Sequence, residues 1–210
     1  MIEVREVSKQ FKEREVLHKI SLTLEGGKIY GLVGRNGSGK TMLMKCVCGF
    51  VQPTSGEILF DGKKLGQDMD FAPETGVIIE TPGFIKYQSG LENLSNLASI
   101  QRKIKKDEMI EVMKLVGLDP YSKLKVGKYS LGMRQRLGIA QAIMENPNYL
   151  ILDEPMNGLD NQGVEDVRKL LLDLKEQGKT ILIASHNRED IDVLCDHVWE
   201  MDNGVAKKAR

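Results

Sequence analysis

The sequence has few aromatic residues and no net charge. Phe, Trp and Tyr make up 5% of the 210 residues, and 30 basic residues are balanced by 30 acidic ones. Proteins that bind single strands stack bases on aromatic rings, and proteins that bind duplexes present an excess of positive charge. The composition therefore argues against a nucleic-acid partner and against a general attraction to anionic lipid.

Long apolar runs are also missing. No stretch approaches the ~18 apolar residues of a membrane-spanning helix. The first six residues, Met1–Glu6, include acids where a secretory signal has basic and then apolar residues. We therefore expect a cytoplasmic protein, long enough for one large domain or for a core that carries a subdomain.

Cysteine is rare, since the chain has only Cys46, Cys48 and Cys195. Three cysteines do not make a disulfide framework. Cys46 and Cys48 fall on a predicted helix and point about 200° apart around its axis. A Cys-x-Cys metal pair would need further ligands nearby, and none is evident, so buried free thiols are the favoured interpretation.

The most informative stretch is Gly34–Thr41, which matches the phosphate-loop pattern G-x-x-x-x-G-K-[ST] at every fixed position. Ile29–Val33 before it is typical of a short buried strand. Met42–Cys48 after it is typical of a helix, which ends at Gly49. A chance match of a glycine-rich loop is disfavoured, because strand, loop and helix in this order are the context that the motif requires.

The residue types of this loop explain how it would bind a polyphosphate. Gly34, Gly37 and Gly39 can adopt positive φ and bring backbone N–H groups close to a ligand. The following helix adds the positive end of its dipole. Lys40 would reach the β- and γ-phosphates, and the Thr41 hydroxyl would bind Mg²⁺.

Two carboxylates follow the continuous apolar run Tyr149–Leu152, which predicts a central parallel strand. Asp153 and Glu154 would be costly at the end of a buried strand unless they faced a cation or a polar cleft. In the phosphate-loop class, the first carboxylate completes the Mg²⁺ shell with the loop threonine. Glu154, one residue on, is placed to accept a proton from attacking water.

Two other predicted strands end in candidate side chains, and ligands of α/β sheets bind at carboxyl ends. His186 follows the apolar run Thr180–Ser185, and beside a phosphate loop a γ-phosphate contact is favoured over an ordinary loop hydrogen bond. Glu80 ends the run Gly76–Glu80. For Glu80 the pattern leaves open a nucleotide contact or an ordinary strand-end carboxylate.

Strand patterns are absent from Thr81 to Lys128, and the apolar spacing predicts a helical insert within the α/β core. Ser89 begins a capping box, Asp107 is the expected N-cap of a second helix, and Ser130 is the expected N-cap of a third. A cluster of basic residues lies between the first two helices. A solvated surface is favoured over a nucleic-acid patch for this cluster, which comprises Arg102, Lys103, Lys105 and Lys106.

The chain resembles the ATP-binding subunit of an ATP-binding cassette (ABC) transporter nearly from end to end. Five motifs occur in the family's order and at similar spacing. A phosphate loop alone is compatible with many families of NTPase, whereas all five motifs together are compatible with few. The five motifs are Gly34–Thr41, Ser130–Met133, Asp153-Glu154, Gly158–Asp160 and Ser185-His186.

The resemblance implies one α/β ABC ATPase domain over residues 1–210. A phosphate-loop NTPase core with a mainly parallel sheet and an N-terminal antiparallel β part would comprise 1–80 and 146–210. A helical subdomain that includes the signature helix would comprise 81–145. It further implies ATP and Mg²⁺ as ligands, a separate membrane permease as partner, and a location on the inner face of the cell membrane.

Residue roles carried over from the family are as follows. Glu154 and His186 would be catalytic, and Thr41, Asp153 and Glu80 would bind the metal. Phe11 would stack on adenine where the family usually has a tyrosine. The implied nucleotide-binding residues are Phe11, Gly34, Arg35, Asn36, Gly37, Ser38, Gly39, Lys40, Thr41 and Met42.

Ser130, Gly132 and Asp160 would act across a head-to-tail dimer. The resemblance implies that Ser130 and the Gly132 N–H bind the γ-phosphate of ATP held by the partner's phosphate loop. Asp160 would cross the interface and help to sense the opposite site. The sequence leaves open whether the dimer pairs two copies of this chain or this chain with a relative.

Two departures from the family pattern matter. The signature usually reads Leu-Ser-Gly-Gly-Gln, whereas Tyr129–Met133 reads Tyr-Ser-Leu-Gly-Met, which keeps the serine and the second glycine. Glu80 stands where the family has a Gln that touches Mg²⁺ and water and couples to the membrane subunit. Both features resemble the branch that exports bacitracin-like and lantibiotic peptides.

Two alternatives belong to other classes. A non-transport ABC ATPase acting on ribosomes or DNA commonly has two cassettes or a long coiled insertion, and neither is present. A phosphate-loop GTPase typically reads guanine with Asn-Lys-x-Asp, but Asn187–Asp190 lacks the lysine. A kinase needs no second γ-phosphate site such as Ser130 with Gly132.

Overall fold

The computed structural model describes residues 1–80 and 83–210, and it contains two β-sheets flanked by helices. Its strands are β1 (Ile2–Phe11), β2 (Arg14–Leu24), β3 (Ile29–Val33), β4 (Ser55–Phe60), β5 (Lys63–Lys64), β6 (Thr75–Ile78), β7 (Tyr149–Asp153), β8 (Thr180–Ala184), β9 (His197–Asp202) and β10 (Val205–Lys208). Its α-helices are α1 (Lys40–Val47), α2 (Gly90–Gln101), α3 (Lys106–Leu115), α4 (Leu131–Ile143), α5 (Asn161–Glu176) and α6 (Arg188–Leu194), with a 3₁₀ turn at Val126–Lys128.

The larger sheet has the strand order β10-β9-β3-β8-β7-β6. Neighbouring strands from β9 to β6 are parallel, and only β10 runs antiparallel at the edge. Asp153 of β7 pairs in register with Ala184 of β8, which also pairs with Leu32 of β3. The loops after β3, β7 and β8 therefore leave the same edge of the sheet, where α/β folds bind ligands.

Side chains of the central strands alternate between two hydrophobic cores. Leu150 and Ile183 pack with the helices α2 to α6 on one face of the sheet. Ile151 and Leu182 pack on the other face with α1 and the smaller sheet. Because both faces are covered, these strands are continuous apolar runs, and each fully buried aliphatic side chain contributes roughly 1.5–3 kcal/mol to folding.

The smaller sheet is antiparallel and has the order β2-β1-β4-β5. β1 pairs with β2 and β4 through registers interrupted by bulges, and Phe11 lies at the end of the β1–β2 hairpin opposite Arg14. This sheet is the predicted N-terminal antiparallel part. With the mainly parallel larger sheet and the helices of residues 83–145, it confirms the predicted α/β fold class.

The helical segment follows the predicted pattern with one error in capping. Ser89 caps α2 and forms the expected capping box with Glu92. Asp107 is not the N-cap of α3, because Lys105 occupies that position and its N–H donates to the Glu108 carboxylate at 2.7 Å. Asp107 lies instead in the first turn, where an acidic side chain still interacts favourably with the helix dipole.

Two other parts of the fold differ from expectation. The predicted strand Gly76–Glu80 is β6, which ends at Ile78, so Glu80 lies two residues beyond it. The sequence pattern also gave no indication of α6, β9 and β10. β9 pairs with β3 on the side opposite β8, and thereby places the C-terminal part of the chain next to the phosphate loop. In the part of the chain that the structure describes, no helix has the length and apolar character to cross a bilayer.

All three cysteines are buried and free, as predicted. Burial raises the pKa of Cys46 to about 11 and those of Cys48 and Cys195 to about 12, from an ordinary value of 9.0. A thiol whose pKa is raised on folding stabilises the fold fully below the unfolded pKa. This stabilisation is lost as the pH rises toward the folded pKa.

Raising the pH from about 8 to about 10 should therefore lower the free energy of unfolding. The unfolded thiols lose protons in this range while the folded thiols retain theirs, which corresponds to roughly 1 kcal/mol per thiol. Urea unfolding at each pH measures the effect. A variant with Ala in place of Cys46, Cys48 and Cys195 should lose this part of the slope and keep the part due to buried tyrosines, whose pKa values are also raised. If the variant and the parent protein showed the same dependence of unfolding free energy on pH, the pKa values of the thiols would not be raised by folding.

Candidate functional site

The loop between β3 and α1 is folded around its glycines. Gly37 and Gly39 have φ values of 80° and 108°, in the left-handed region that favours glycine. A Cβ at Gly34 would lie 2.2 Å from the Met201 carbonyl oxygen, so no larger residue fits there. The Ser38 N–H donates to the Arg35 carbonyl at 3.1 Å and closes the turn.

Lys40 folds back over this loop. Its Nζ donates to the carbonyl oxygens of Gly34 at 2.7 Å and Arg35 at 3.1 Å, and the side chain is buried. Ser38 is also buried, and its Oγ has no hydrogen-bond partner among the described residues. A buried hydroxyl without a partner is unfavourable. A phosphate oxygen would provide an acceptor, so the loop fits a bound phosphate.

Thr41 and Asp153 are joined directly. The Thr41 hydroxyl donates to Asp153 Oδ2 at 2.7 Å, which brings the first helical residues of α1 against the end of β7. Across residues 1–80 and 83–210, no three His, Cys, Asp or Glu side chains are grouped to hold a metal alone. Mg²⁺ is usually held by one or two protein oxygen ligands together with substrate phosphates, so this hydroxyl and carboxylate fit it.

Glu154 and His186 form a second pair at the same edge. His186 Nδ1 lies 2.8 Å from Glu154 Oε2, and an ionised carboxylate can only accept, so Nδ1 carries the proton. Glu154 adopts φ 50°, and its N–H donates to the Ala184 carbonyl at 2.9 Å. This uncommon backbone turn directs the chain away from β7.

Buried Gln135 of α4 supports this turn, a role that the sequence pattern did not indicate. Its Nε2 donates to the carbonyl oxygens of Pro155 at 2.9 Å and Glu154 at 3.2 Å. Gln135 lies on the buried side of the amphipathic helix α4, and no spacing rule marks a glutamine at that position as functional. α4, which begins after Ser130, therefore contacts the backbone turn at Glu154 and Pro155.

Most of the predicted nucleotide-binding residues line one cavity of about 650 Å³. Phe11 is at its rim, 47% exposed, with Lys9 Nζ 4.8 Å from the ring centroid. A neighbouring cavity of about 930 Å³ is lined by Gly34, Arg35 and His186 among others. The cavity of about 650 Å³ is lined by Phe11, Arg14, Val16, Asn36, Gly37, Gly39, Lys40, Thr41, Met42, Asp153 and Glu154.

Ser130, Gly132 and Asp160 line neither cavity. Ser130 caps α4 by accepting from the Met133 N–H at 3.1 Å, and Asp160 caps α5 while remaining 79% exposed. The two caps belong to one surface, because a Cβ at Gly132 would lie 2.9 Å from the Gly158 carbonyl oxygen. The residues predicted to act across a dimer are thus grouped, and none of them lines the cavity that contains Lys40.

Glu80 does not line the cavity that contains Thr41 and Asp153. Its carboxylate accepts from Lys45 Nζ at 2.6 Å, and the two side chains are 65% and 27% exposed. Lys45 lies in the last turn of α1, and the sequence pattern gave no sign of this pair. Glu80 therefore joins the helix after the phosphate loop to the segment that precedes α2.

A family model described as ABC transporter matches residues 17–157, which include both the phosphate loop and Asp153-Glu154. The chain belongs to the ABC transporter family. An uncharacterised ABC transporter ATP-binding protein of Bacillus subtilis is 45% identical over 97% of this chain and 94% of its own length. The bacitracin transport ATP-binding protein of Enterococcus faecalis is 42% identical over 97% of the chain and 67% of its own length. A lantibiotic transport ATP-binding protein of Streptococcus pyogenes is 35% identical over 94% of this chain and 85% of its own length.

Solved ABC cassettes have the same fold. The ATP-binding subunit of an ABC transporter superimposes with a TM-score of 0.88 at 25% identity, covering 100% of this chain and 89% of that one. A dimeric bacterial ABC transporter cassette superimposes with a TM-score of 0.89 at 24% identity, covering 100% of this chain and 99% of that one. The family model and the ABC transporter ATP-binding relatives show that this chain is an ABC ATPase, so the GTPase and kinase alternatives are wrong.

Proposed function

We propose that this chain hydrolyses ATP to power a separate membrane permease, and that ATP closes a head-to-tail dimer of two such subunits. One observation supports the dimer above all others. Exposed Ser130 and Asp160 lie on one surface with half-buried Gly132, whereas Lys40 and Glu154 line a cavity without them. Each chain would thus provide the phosphate-loop half of one ATP site and the Ser130 half of the other.

Within one half, the phosphate loop would bind the triphosphate through its N–H groups and Lys40. Glu154 would accept the proton of the attacking water, and His186 would orient that carboxylate and contact the γ-phosphate. Mg²⁺ would be held by Thr41 and Asp153, with Glu80 as a further candidate, and would supply positive charge beside the phosphates. Phe11 would cover the adenine ring.

The second half would come from the partner chain. Ser130 and the Gly132 N–H begin α4, whose N-terminal end attracts an anion such as the γ-phosphate. Closure would then require ATP, because the phosphate charge is what this helix end recognises. Asp160, beside the same surface, would cross the interface toward the opposite site.

Ser130→Arg should abolish this ATP-dependent dimer and leave the monomer able to bind ATP. The larger side chain would fill the place of the γ-phosphate contact, while the phosphate loop is unchanged. Gel filtration with light scattering in the Glu154→Gln background, in which ATP is not consumed, measures the association. Ser99→Arg is the matched control, since Ser99 is an exposed serine of α2. Undiminished dimerisation of Ser130→Arg would contradict the proposal.

The permease partner, the coupling of hydrolysis to transport and the cytoplasmic position at the membrane are part of the same proposal. Relatives named for bacitracin and lantibiotic transport support export of peptide antibiotics or similar molecules as the process that is driven. We propose that the helical subdomain, 81–145, moves relative to 1–80 and 146–210 and passes closure on to the permease.

Affinity purification of the tagged full chain from detergent-solubilised cells tests the partner. We expect a multi-span membrane protein to be retained in a fixed ratio, and to be retained equally by the Glu154→Gln variant. Recovery with ribosomes or DNA instead would support the non-transport ABC ATPase, which the transporter names of the relatives do not favour.

A further inference from the structure

A buried ion pair joins α5 to α6 behind the His186 loop. Arg168 and Asp190 are 5% and 2% exposed, and both Nη2 and Nε of Arg168 donate to Asp190 Oδ1, at 2.6 Å and 3.0 Å. Arg168 Nη1 also donates to Glu165 and Glu189. The guanidinium is therefore fixed by three carboxylates, and its planar fork leaves it one orientation.

The other oxygen of Asp190 faces the loop that carries His186. Ser185 Oγ donates to Asp190 Oδ2 at 3.4 Å and accepts from the Asn187 N–H at 3.1 Å. Asn187 in turn caps α6, since its side chain accepts from the Glu189 N–H at 3.0 Å. Asp190 thus divides its two oxygens between Arg168 and the residue immediately before His186.

The imidazole of His186 depends on this backbone for its position. Its side chain is 72% exposed, and within residues 1–80 and 83–210 its one hydrogen bond is to Glu154. An exposed ring is not held by packing, so the residues that fix the backbone on either side decide where the ring lies. Those residues are Ser185 and Asn187, and the Ser185 hydroxyl connects them by accepting from the Asn187 N–H.

Burial of two charges is an expensive way to hold two helices together, because apolar residues of similar volume often stabilise a fold more. What the charged pair provides is direction, since Arg168 orients the Asp190 carboxylate and its second oxygen faces the Ser185 hydroxyl at 3.4 Å. We propose that Arg168 is a positioning residue for His186, acting through Asp190 and Ser185. This inference rests on the proposed role of His186 in hydrolysis.

The first variant to examine is Ser185→Ala, which breaks the connection and leaves the Arg168–Asp190 pair intact. We expect kcat for ATP hydrolysis to fall about 10- to 100-fold, as for a catalytic group displaced by about 1 Å. ATP affinity, measured with a fluorescent nucleotide, should stay within about 2-fold, because Lys40 and the phosphate loop are untouched. Arg168→Lys, which keeps the charge but loses the fork, should cause a similar fall.

Ser8→Ala is the matched control, because Ser8 is also buried and its Oγ also accepts from a backbone N–H, that of Lys19 at 2.9 Å. It should lower the melting temperature by a comparable amount and leave kcat unchanged. In a His186→Ala background, Ser185→Ala should cause no further loss, since the two changes act on one group. Losses that multiply in this double variant would overturn the proposal.

A spectroscopic measurement separates this inference from the proposed function. The chain has three histidines, so the imidazole resonances of His18 and His197 are internal references for that of His186. We expect Ser185→Ala and Arg168→Lys to move only the His186 resonance, toward its position in a Glu154→Ala variant. An unmoved resonance would overturn the inference. A moved resonance together with full activity of His186→Ala would support the positioning and refute the catalytic role of His186.

Discussion

Glu154→Gln should reduce the rate of ATP hydrolysis by about 10²–10⁴-fold, the usual contribution of a general base. The amide has nearly the shape of the carboxylate and can still hydrogen-bond to His186, but it cannot accept a proton from water. Phosphate release under saturating ATP measures the rate. ATP should still bind, because none of the phosphate-loop contacts involves this side chain.

The same variant should accumulate as an ATP-bound dimer, because closure would precede hydrolysis and reopening would follow it. Glu145→Gln is the matched control, since Glu145 precedes β7 at the opposite end of the strand from Glu154. It should hydrolyse ATP normally and show no trapped dimer. Near-normal turnover of Glu154→Gln would assign the base to another residue.

Asp153 cannot replace Glu154 in this role. Its Oδ2 accepts the Thr41 hydroxyl at 2.7 Å, so it is committed to the pair that suits Mg²⁺. The Glu154 carboxylate, 28% exposed, contacts a histidine and reaches the cavity. Two adjacent carboxylates thus have different partners because the backbone turns between them, at the positive φ of Glu154.

The central strands could be predicted from the sequence because burial on both faces leaves an unbroken apolar run, as in Tyr149–Leu152. The caps at Ser89 and Ser130 could be predicted because a short polar side chain before a periodic helix has a local physical cause. The motif residues share an edge of the sheet for a similar reason. Parallel strands bring their carboxyl ends together whatever the intervening sequence.

What could not be predicted depends on contacts between residues distant in the chain. β9 has charged and aromatic residues and becomes a strand because β3 offers it a free edge. The pairs Lys45–Glu80 and Arg168–Asp190 join residues 35 and 22 positions apart, and no spacing rule connects them. Asp107 has a side chain that favours the N-cap position, but the N-cap is Lys105, whose extended backbone begins the helix two residues earlier.

Lys40→Ala should weaken ATP binding below detection by calorimetry. Removing one partner of a buried, hydrogen-bonded charge pair costs about 2–5 kcal/mol, or roughly a 30- to 5,000-fold rise in Kd. In the structure, the Lys40 ammonium is already held at the loop by the carbonyls of Gly34 and Arg35. Its loss would therefore remove a charge that is already ordered at the loop rather than a mobile one.

The fold should survive this change, since the hydroxyl–carboxylate bond of Thr41 and Asp153 and the core contacts of α1 remain. A melting temperature close to that of the parent protein would verify this. Lys40→Met, which keeps the apolar stem, should lose binding equally, because the ammonium and not the stem recognises phosphate. Lys28→Ala, at the opposite end of β3, should bind ATP normally. Unchanged ATP affinity in Lys40→Ala would mean that Gly34–Thr41 is not the nucleotide loop, and the proposed division of the site between two chains would then lose its basis.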